Sequence, residues 1–468
     1  MKKHIYFVYD FNFPNGYLDF GYNKSTVRDN FLHQVDNCVE NRTLLLASPN
    51  NPSNLQEQSG MFADEFISTN THWNKILTTE IYDKLNRKNY SQKHNHFLVC
   101  LESTNASNFF EYYTNPNLDF DDLFSPKLLE IIKRRKEFKI LMVDNREGSY
   151  PHIESLFDKI KEWLNKHEIT TRKKFIVSTC NENINNIKIN DKRICVYNNN
   201  YYLYFAGKFI KQCEDRNNSI TEPHNEYEFS IQQKLKFDIK EKYYLNYNRN
   251  SGRYHRPYLV HKLYENNLLD KGFISLFKTE DFDDCLEKNH NFPQLEINTE
   301  DILKWKETIS KWYPLTIDSD NEHEVAMYHN FLSRKDEYEK TYFSIVSETN
   351  AETQYLFITE KVLKPIMNLH PFLVNGNPNT LTHLRSLGFQ TFGKWWDESY
   401  DTETNFKKRA NMIIEQVKIL CSKSKEEWVE ILKQMEPILK YNQSLLKQKW
   451  MSKQYEKNLI DILDEKLI

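Results

Sequence analysis

The run Thr359-Glu360-Lys361 sets a threonine directly ahead of an acid and a base. A threonine at a helix N-cap puts the next residues in the first turn, where free backbone N–H groups and the helix dipole attract anions. Lys361 adds a full positive charge suited to a diphosphate. Glu360 can accept hydrogen bonds from the two adjacent hydroxyls of a ribose. Upstream, Ser347-Glu348-Thr349-Asn350 closes the apolar run Tyr342–Val346. That order puts polar groups at a strand's carboxyl end, the edge at which open α/β sheets take ligands.

A second cluster follows another short apolar run: Asn246-Tyr247-Asn248-Arg249-Asn250-Ser251-Gly252-Arg253-Tyr254-His255-Arg256. Arg249, Arg253 and Arg256, with one glycine for close backbone approach, suit a pyrophosphate, because guanidinium groups pair with phosphate oxygens and keep their charge. They could also stabilise a departing diphosphate, a task otherwise given to a metal. Arg249 is the leading member. Formal Asp-x-Asp matches occur at Asp119/Asp121, Asp281/Asp283 and Asp318/Asp320. With 66 acidic residues chance matches are expected, and only the last pair follows a strand-like run. No resident metal or bound cofactor is expected.

The segment Ser347-Glu348-Thr349-Asn350 followed by Thr359-Glu360-Lys361 resembles the donor motif of the α1,3-fucosyltransferase family, in which Glu-Asn-Ser/Thr precedes Thr-Glu-Lys by a similar gap. This chain has Glu-Thr-Asn in that place, and Asn368-Leu369-His370-Pro371-Phe372 where the family usually has a small residue or Gly before Val-Pro-Val. It is also similar to a broader set of microbial and viral transferases with Thr-Glu-Lys followed by His-Pro-Phe and Gly-Asn-Pro, here Gly376-Asn377-Pro378. The resemblance implies a two-domain GT-B fold and a nucleotide-sugar donor, a GDP-sugar and fucose first. It implies that Glu360 holds ribose, Lys361 neutralises phosphate and Glu348 lies beside the donor sugar. Asn350 and Thr359 belong to the same donor site.

Transfer to a glycan acceptor needs a carboxylate or histidine to deprotonate the attacking hydroxyl. In GT-B enzymes that group usually comes from the first domain. Ile140–Val143 runs into Asp144-Asn145-Arg146-Glu147-Gly148, which makes Asp144 and Glu147 the candidate bases, with Asp10 and Glu102 as rivals.

These residues need strands and helices to hold them. Short apolar runs at Ile5–Tyr9, Thr43–Ala47, Phe97–Leu101, Phe138–Val143 and Lys174–Ser178 read as buried strands. Between two of them Ile153, Leu156, Phe157, Ile160, Trp163 and Leu164 fall at helical spacing. Strands alternating with helices imply mostly parallel sheets. The apolar pattern fades between about 212 and 237 and resumes at Tyr243–Tyr247. The expected architecture is α/β: two Rossmann-like domains facing across a cleft, with a C-terminal helical extension. Residues 1–235 would bind the acceptor, 240–400 the nucleotide-sugar, and 401–468 would be helices. Pro365 is expected to disturb the helix after Thr359 and Pro371 to end it. Thr380 is read as capping the next helix, which Gly388 stops.

Composition bounds the alternatives. The 468 residues exceed what one core usually supports. A formal charge of −3 gives no basic field for nucleic acid, so a transferase acting on modified DNA bases is disfavoured. Seven scattered cysteines without a C-x-x-C pair read as reduced thiols. A mean hydropathy of −0.75 and an opening apolar run too short for a secretion signal point to a cytoplasmic protein. The helical tail offers an amphipathic surface for peripheral membrane contact or a second subunit. A metal-dependent GT-A-like transferase using Asp318 and Asp320, or a non-catalytic carbohydrate-binding scaffold, are the rival readings.

Overall fold

Runs rich in β-branched and aromatic residues become parallel strands in a computed structural model of the chain. It describes residues 4–9, 73–77, 85, 95–102, 119–124, 126–144, 153–179, 188–198, 201–215, 219–221, 228–232, 234–248, 251–278, 295–317, 335–351, 356–452 and 461–463. The chain divides into two compact units, Met1–Asn199 with Tyr455–Ile468, and Asn200–Gln454.

The first unit holds a six-stranded sheet: β1 (His4–Tyr9), β2 (Trp73–Leu77), β3 (Asn95–Glu102), β4 (Phe138–Asp144), β5 (Phe175–Thr179) and β6 (Ile194–Asn198), in the order β2-β1-β3-β4-β5-β6. Every pairing is parallel. On β4, Phe138, Ile140, Leu141 and Met142 are fully buried, as a strand covered on both faces requires. Phe97 stacks on Phe138 with centroids 4.3 Å apart. Helix α1 (Pro126–Arg134) precedes β4 and α2 (Ile153–Lys166) follows it. The helical spacing noted above puts Leu156, Phe157, Ile160, Trp163 and Leu164 in the core. Trp163 meets Phe175 edge-on at 5.6 Å.

Edge strands β2 and β6, Trp-Asn-Lys-Ile-Leu and Ile-Cys-Val-Tyr-Asn, carry a weaker apolar signal than the central strands, so the sequence pattern missed them. The expected strand at Thr43–Ala47 lies outside the described residues.

The second unit holds β9 (Tyr244–Asn246), β10 (Gly272–Ile274), β11 (Phe343–Ser347) and β12 (Phe372–Asn375) in the order β10-β9-β11-β12, all parallel. A separate antiparallel pair, β7 (Ser219–Thr221) and β8 (Glu228–Ser230), belongs to the same unit. The helices are α3 (Tyr201–Asp215), α4 (His255–Glu265), α5 (Thr299–Thr308), α6 (Lys335–Glu339), α7 (Glu360–Met367), α8 (Thr380–Ser386), α9 (Phe406–Ser422) and α10 (Lys425–Met451). Among the described residues the chain is therefore α/β with two parallel sheets.

The terminal helices pack on the second sheet. Trp428 of α10 stacks on Tyr342 and Phe343, at 5.4 and 5.2 Å, and buttresses β11. Gln443 donates to Met367 O at 2.6 Å, which ties α10 to the end of α7. Helix α3 lies so close to α10 that a Cβ on Gly207 would stand 2.4 Å from Leu446 O. Lys447 and Glu214 pair across the same contact at 2.9 Å. Among the described residues no helix is long and apolar enough to cross a membrane.

Candidate functional site

The strand order fixes where a ligand can sit on the second sheet. From β9 the chain crosses to β10 on one side, and β11 then pairs on the other side of β9. Loops leaving the carboxyl ends of β9 and β11 diverge at this switch point, the place where open α/β sheets take ligands. Both sequence clusters lie there: Arg253 and Arg256 after β9, and Glu348, Thr349 and Asn350 after β11. The Thr359-Glu360-Lys361 run opens α7, the helix that connects β11 to β12.

The turn after β11 draws side chains from four elements. Arg253 Nη1 donates to Asn350 Oδ1 at 3.3 Å, which links the loops of two strands. His255 Nε2 and Arg256 Nη2 donate to Glu348 O at 2.8 and 3.3 Å. Lys361 Nζ donates to Thr349 Oγ1 at 3.0 Å and pairs with Glu360 at 2.7 Å. Arg409, from α9, donates to Ala351 O and, at 2.7 Å, to Glu403 O. Arginine side chains reach the turn from either flank, and Lys361 closes it from α7.

The electrostatic consequence is visible at His255, which is 1% exposed. Burial, then Arg256, Arg253 and Arg409, hold its imidazole well below the usual histidine range. The ring stays neutral, so its Nε2–H can donate to Glu348 O.

Thr359 is the N-cap of α7, as the sequence predicts, with its hydroxyl accepting from Lys361 N at 3.1 Å. The carboxylate of Glu348 completes the cap. Its Oε1 accepts from Val362 N at 3.2 Å, and its Oε2 accepts from the Thr359 hydroxyl at 2.5 Å. Glu348 is 2% exposed, and its own N–H donates to Asn375 O at 3.0 Å. For the Lys361 and Val362 amides of this turn, the expectation that they face a diphosphate is therefore corrected. The amides of Lys361 and Val362 already donate to protein oxygens, and the anion at the helix start is Glu348. What α7 offers a ligand is the Lys361 ammonium, whose side chain is 20% exposed.

A second carboxylate does the same for α8. Asp401 accepts from Leu381 N at 2.7 Å and Thr382 N at 2.8 Å. The N-cap there is Asn379, with φ 67°, rather than Thr380, which is the first helical residue. Gly388 ends the helix at φ 94°, a left-handed position that suits glycine, as expected.

Other candidates sit elsewhere. Asp144 ends β4 at the carboxyl edge of the first sheet; its side chain, and all of Glu147, Arg249 and Asp10, lie outside the described residues. Glu102 ends β3, again without a described side chain. Asp281, Asp283, Asp318 and Asp320 are also outside. Asp119 and Asp121 are described and structural. Both pair with Lys166, at 2.6 and 2.9 Å, and Asp121 also accepts from the Trp163 indole at 2.8 Å. Among the described residues no cluster of three His, Cys, Asp or Glu could hold a metal. Among the described residues Cys195 and Cys421 are free cysteines.

Arg409 and Asn375 were not identifiable as site residues from sequence, and His255 lay within the basic cluster without being singled out. Arg409 meets Ala351 across 58 residues of chain, and nothing local to either marks the contact. No protein-family model matches the chain, and no curated protein matches it in sequence.

Proposed function

We propose that this protein is a glycosyltransferase of GT-B type whose second unit binds a nucleoside-diphosphate sugar at the switch point between β9 and β11. One observation carries the reading. Arg253, Arg256, Lys361 and Arg409 all donate to the single turn Glu348–Ala351 at the carboxyl edge of a parallel sheet. A turn so furnished suits a dianionic ligand more than a neutral sugar alone.

In the reaction, the bond from the anomeric carbon to the diphosphate breaks as an acceptor hydroxyl attacks, and negative charge builds on the leaving phosphate. Arg253 and Lys361 stabilise that charge by direct hydrogen bonds, stronger in the transition state than in the ground state. Glu360 holds the ribose. Asp144 or Glu147 of the first unit takes the acceptor's proton. GDP is the first nucleotide to test and fucose the first sugar, on the strength of the motif resemblance.

The test is a thermal-shift panel of nucleoside diphosphates and their sugars, followed by an assay for released diphosphate with glycan acceptors. A ligand at 100 times its Kd stabilises the folded state by about 2.7 kcal/mol. A melting temperature that no nucleotide raises would remove the reading.

A further inference from the structure

We propose that Glu348 is a positioning residue rather than a reacting acid: its carboxylate is the anion held by the first turn of α7, and it sets Lys361 against Thr349 at the ligand edge. The resemblance puts Glu348 beside the donor sugar, but the geometry gives its carboxylate another task. Both oxygens face the helix start. Oε1 takes the Val362 amide at 3.2 Å, and Oε2 takes the Thr359 hydroxyl at 2.5 Å and, at 3.4 Å, the Thr349 amide.

The backbone of Glu348 is held as firmly. Its carbonyl accepts from His255 and Arg256, and its N–H donates to Asn375 O. Space around it is filled too, since a Cβ added to Gly376 would lie 3.1 Å from Glu348 Cβ. Because Thr349 follows Glu348 directly and Lys361 precedes Val362 directly, the carboxylate joins the two segments whose side chains meet in the 3.0 Å Lys361–Thr349 hydrogen bond. Releasing it would free the start of α7 from the end of β11 and let Lys361 wander from the edge. A carboxylate that satisfies a helix N-terminus from a distant strand is equivalent to an N-cap with a charge, which the helix dipole favours.

The affinity part of this inference rests on the nucleotide-binding reading; the clamp itself does not. Full-length wild type, Glu348→Gln and Glu348→Ala are compared by melting temperature, by hydrogen exchange over residues 359–367, and by the Kd for inorganic pyrophosphate and for GDP. Glu348→Gln keeps one acceptor for Val362 N but loses the charge and the acceptor for the Thr359 hydroxyl, so its Kd should lie between those of wild type and Glu348→Ala, with turnover falling only as far as binding does. Glu348→Ala should lose exchange protection at the start of α7 and weaken pyrophosphate binding by about tenfold or more, because Lys361 is no longer held. Glu348→Gln abolishing transfer with melting temperature and Kd unchanged would overturn the proposal and make Glu348 a reacting group. Unchanged exchange and Kd in Glu348→Ala would overturn it as well. Should wild type bind neither pyrophosphate nor GDP, the functional reading falls, and the clamp is then decided by the exchange at residues 359–367 alone.

Discussion

Arg253 and Asn350 meet across the switch point of the second sheet, Nη1 to Oδ1 at 3.3 Å, each from the loop of a different strand. The amide is a modest partner for a guanidinium, and the fork keeps further donors for a phosphate.

Arg253→Ala should therefore separate binding from stability. Removing a charged hydrogen bond to ligand costs about 1.5–3 kcal/mol, roughly ten- to a hundredfold in the Kd for GDP. The unliganded protein should change by less than about 0.5 kcal/mol, since the side chain is partly exposed. Arg253→Lys should fall between, because the ammonium keeps the charge but loses the fork. Calorimetric titration with GDP at two salt concentrations checks both. Equal affinities for the three proteins would contradict the assignment.

Arg409 is 1% exposed, and its guanidinium is bound to the carbonyls of Ala351, Glu403 and Thr404. Arg409→Met fills similar space but leaves the buried Ala351 carbonyl, and the partly buried carbonyls of Glu403 and Thr404, without those donors. Urea denaturation should show a loss of about 2–4 kcal/mol, with weaker nucleotide binding from a loosened 347–351 turn. A stable Arg409→Met with unchanged GDP affinity would detach α9 from the site.

His370 gives a pH signature. It is buried, with Nδ1 2.8 Å from Ser344 Oγ and Nε2 3.0 Å from Thr341 O, and burial pulls its pKa to about 3. The folded state thus refuses a proton that the unfolded histidine takes near 6.5. The contribution of His370 is full above that pH and is lost as pH falls from 6.5 towards 3, by about 1.4 kcal/mol per unit. Between pH 7 and 5, wild type should lose about 2 kcal/mol more than His370→Gln. Parallel stability–pH curves for the two proteins would refute this.

Gly207→Ala tests the seam between α3 and α10. The added Cβ would lie 2.4 Å from Leu446 O and 2.7 Å from Trp450 Cβ, neither of which is the loose end of a side chain. Overpacking of that kind costs about 1–3 kcal/mol. A lower melting temperature is expected, and an unchanged one would mean that the helices can part without penalty.

The sequence determined by itself strands in each sheet that are buried on both faces. It also fixed the threonine cap of α7 and the left-handed stop at Gly388, because burial, capping and positive φ each select residue types locally. It marked Arg253, Asn350, Glu360 and Lys361 as a polar set at strand ends. Weakly apolar edge strands escaped it, since half their flank makes no sheet contact and selects no strong pattern. Only tertiary structure decided that Glu348 serves the helix start and that Arg409 reaches Ala351. It also decided that His255 stays neutral under three arginines. Those outcomes depend on which loops the strand order brings together, and no residue's own type or neighbours encodes a contact made across the sheet.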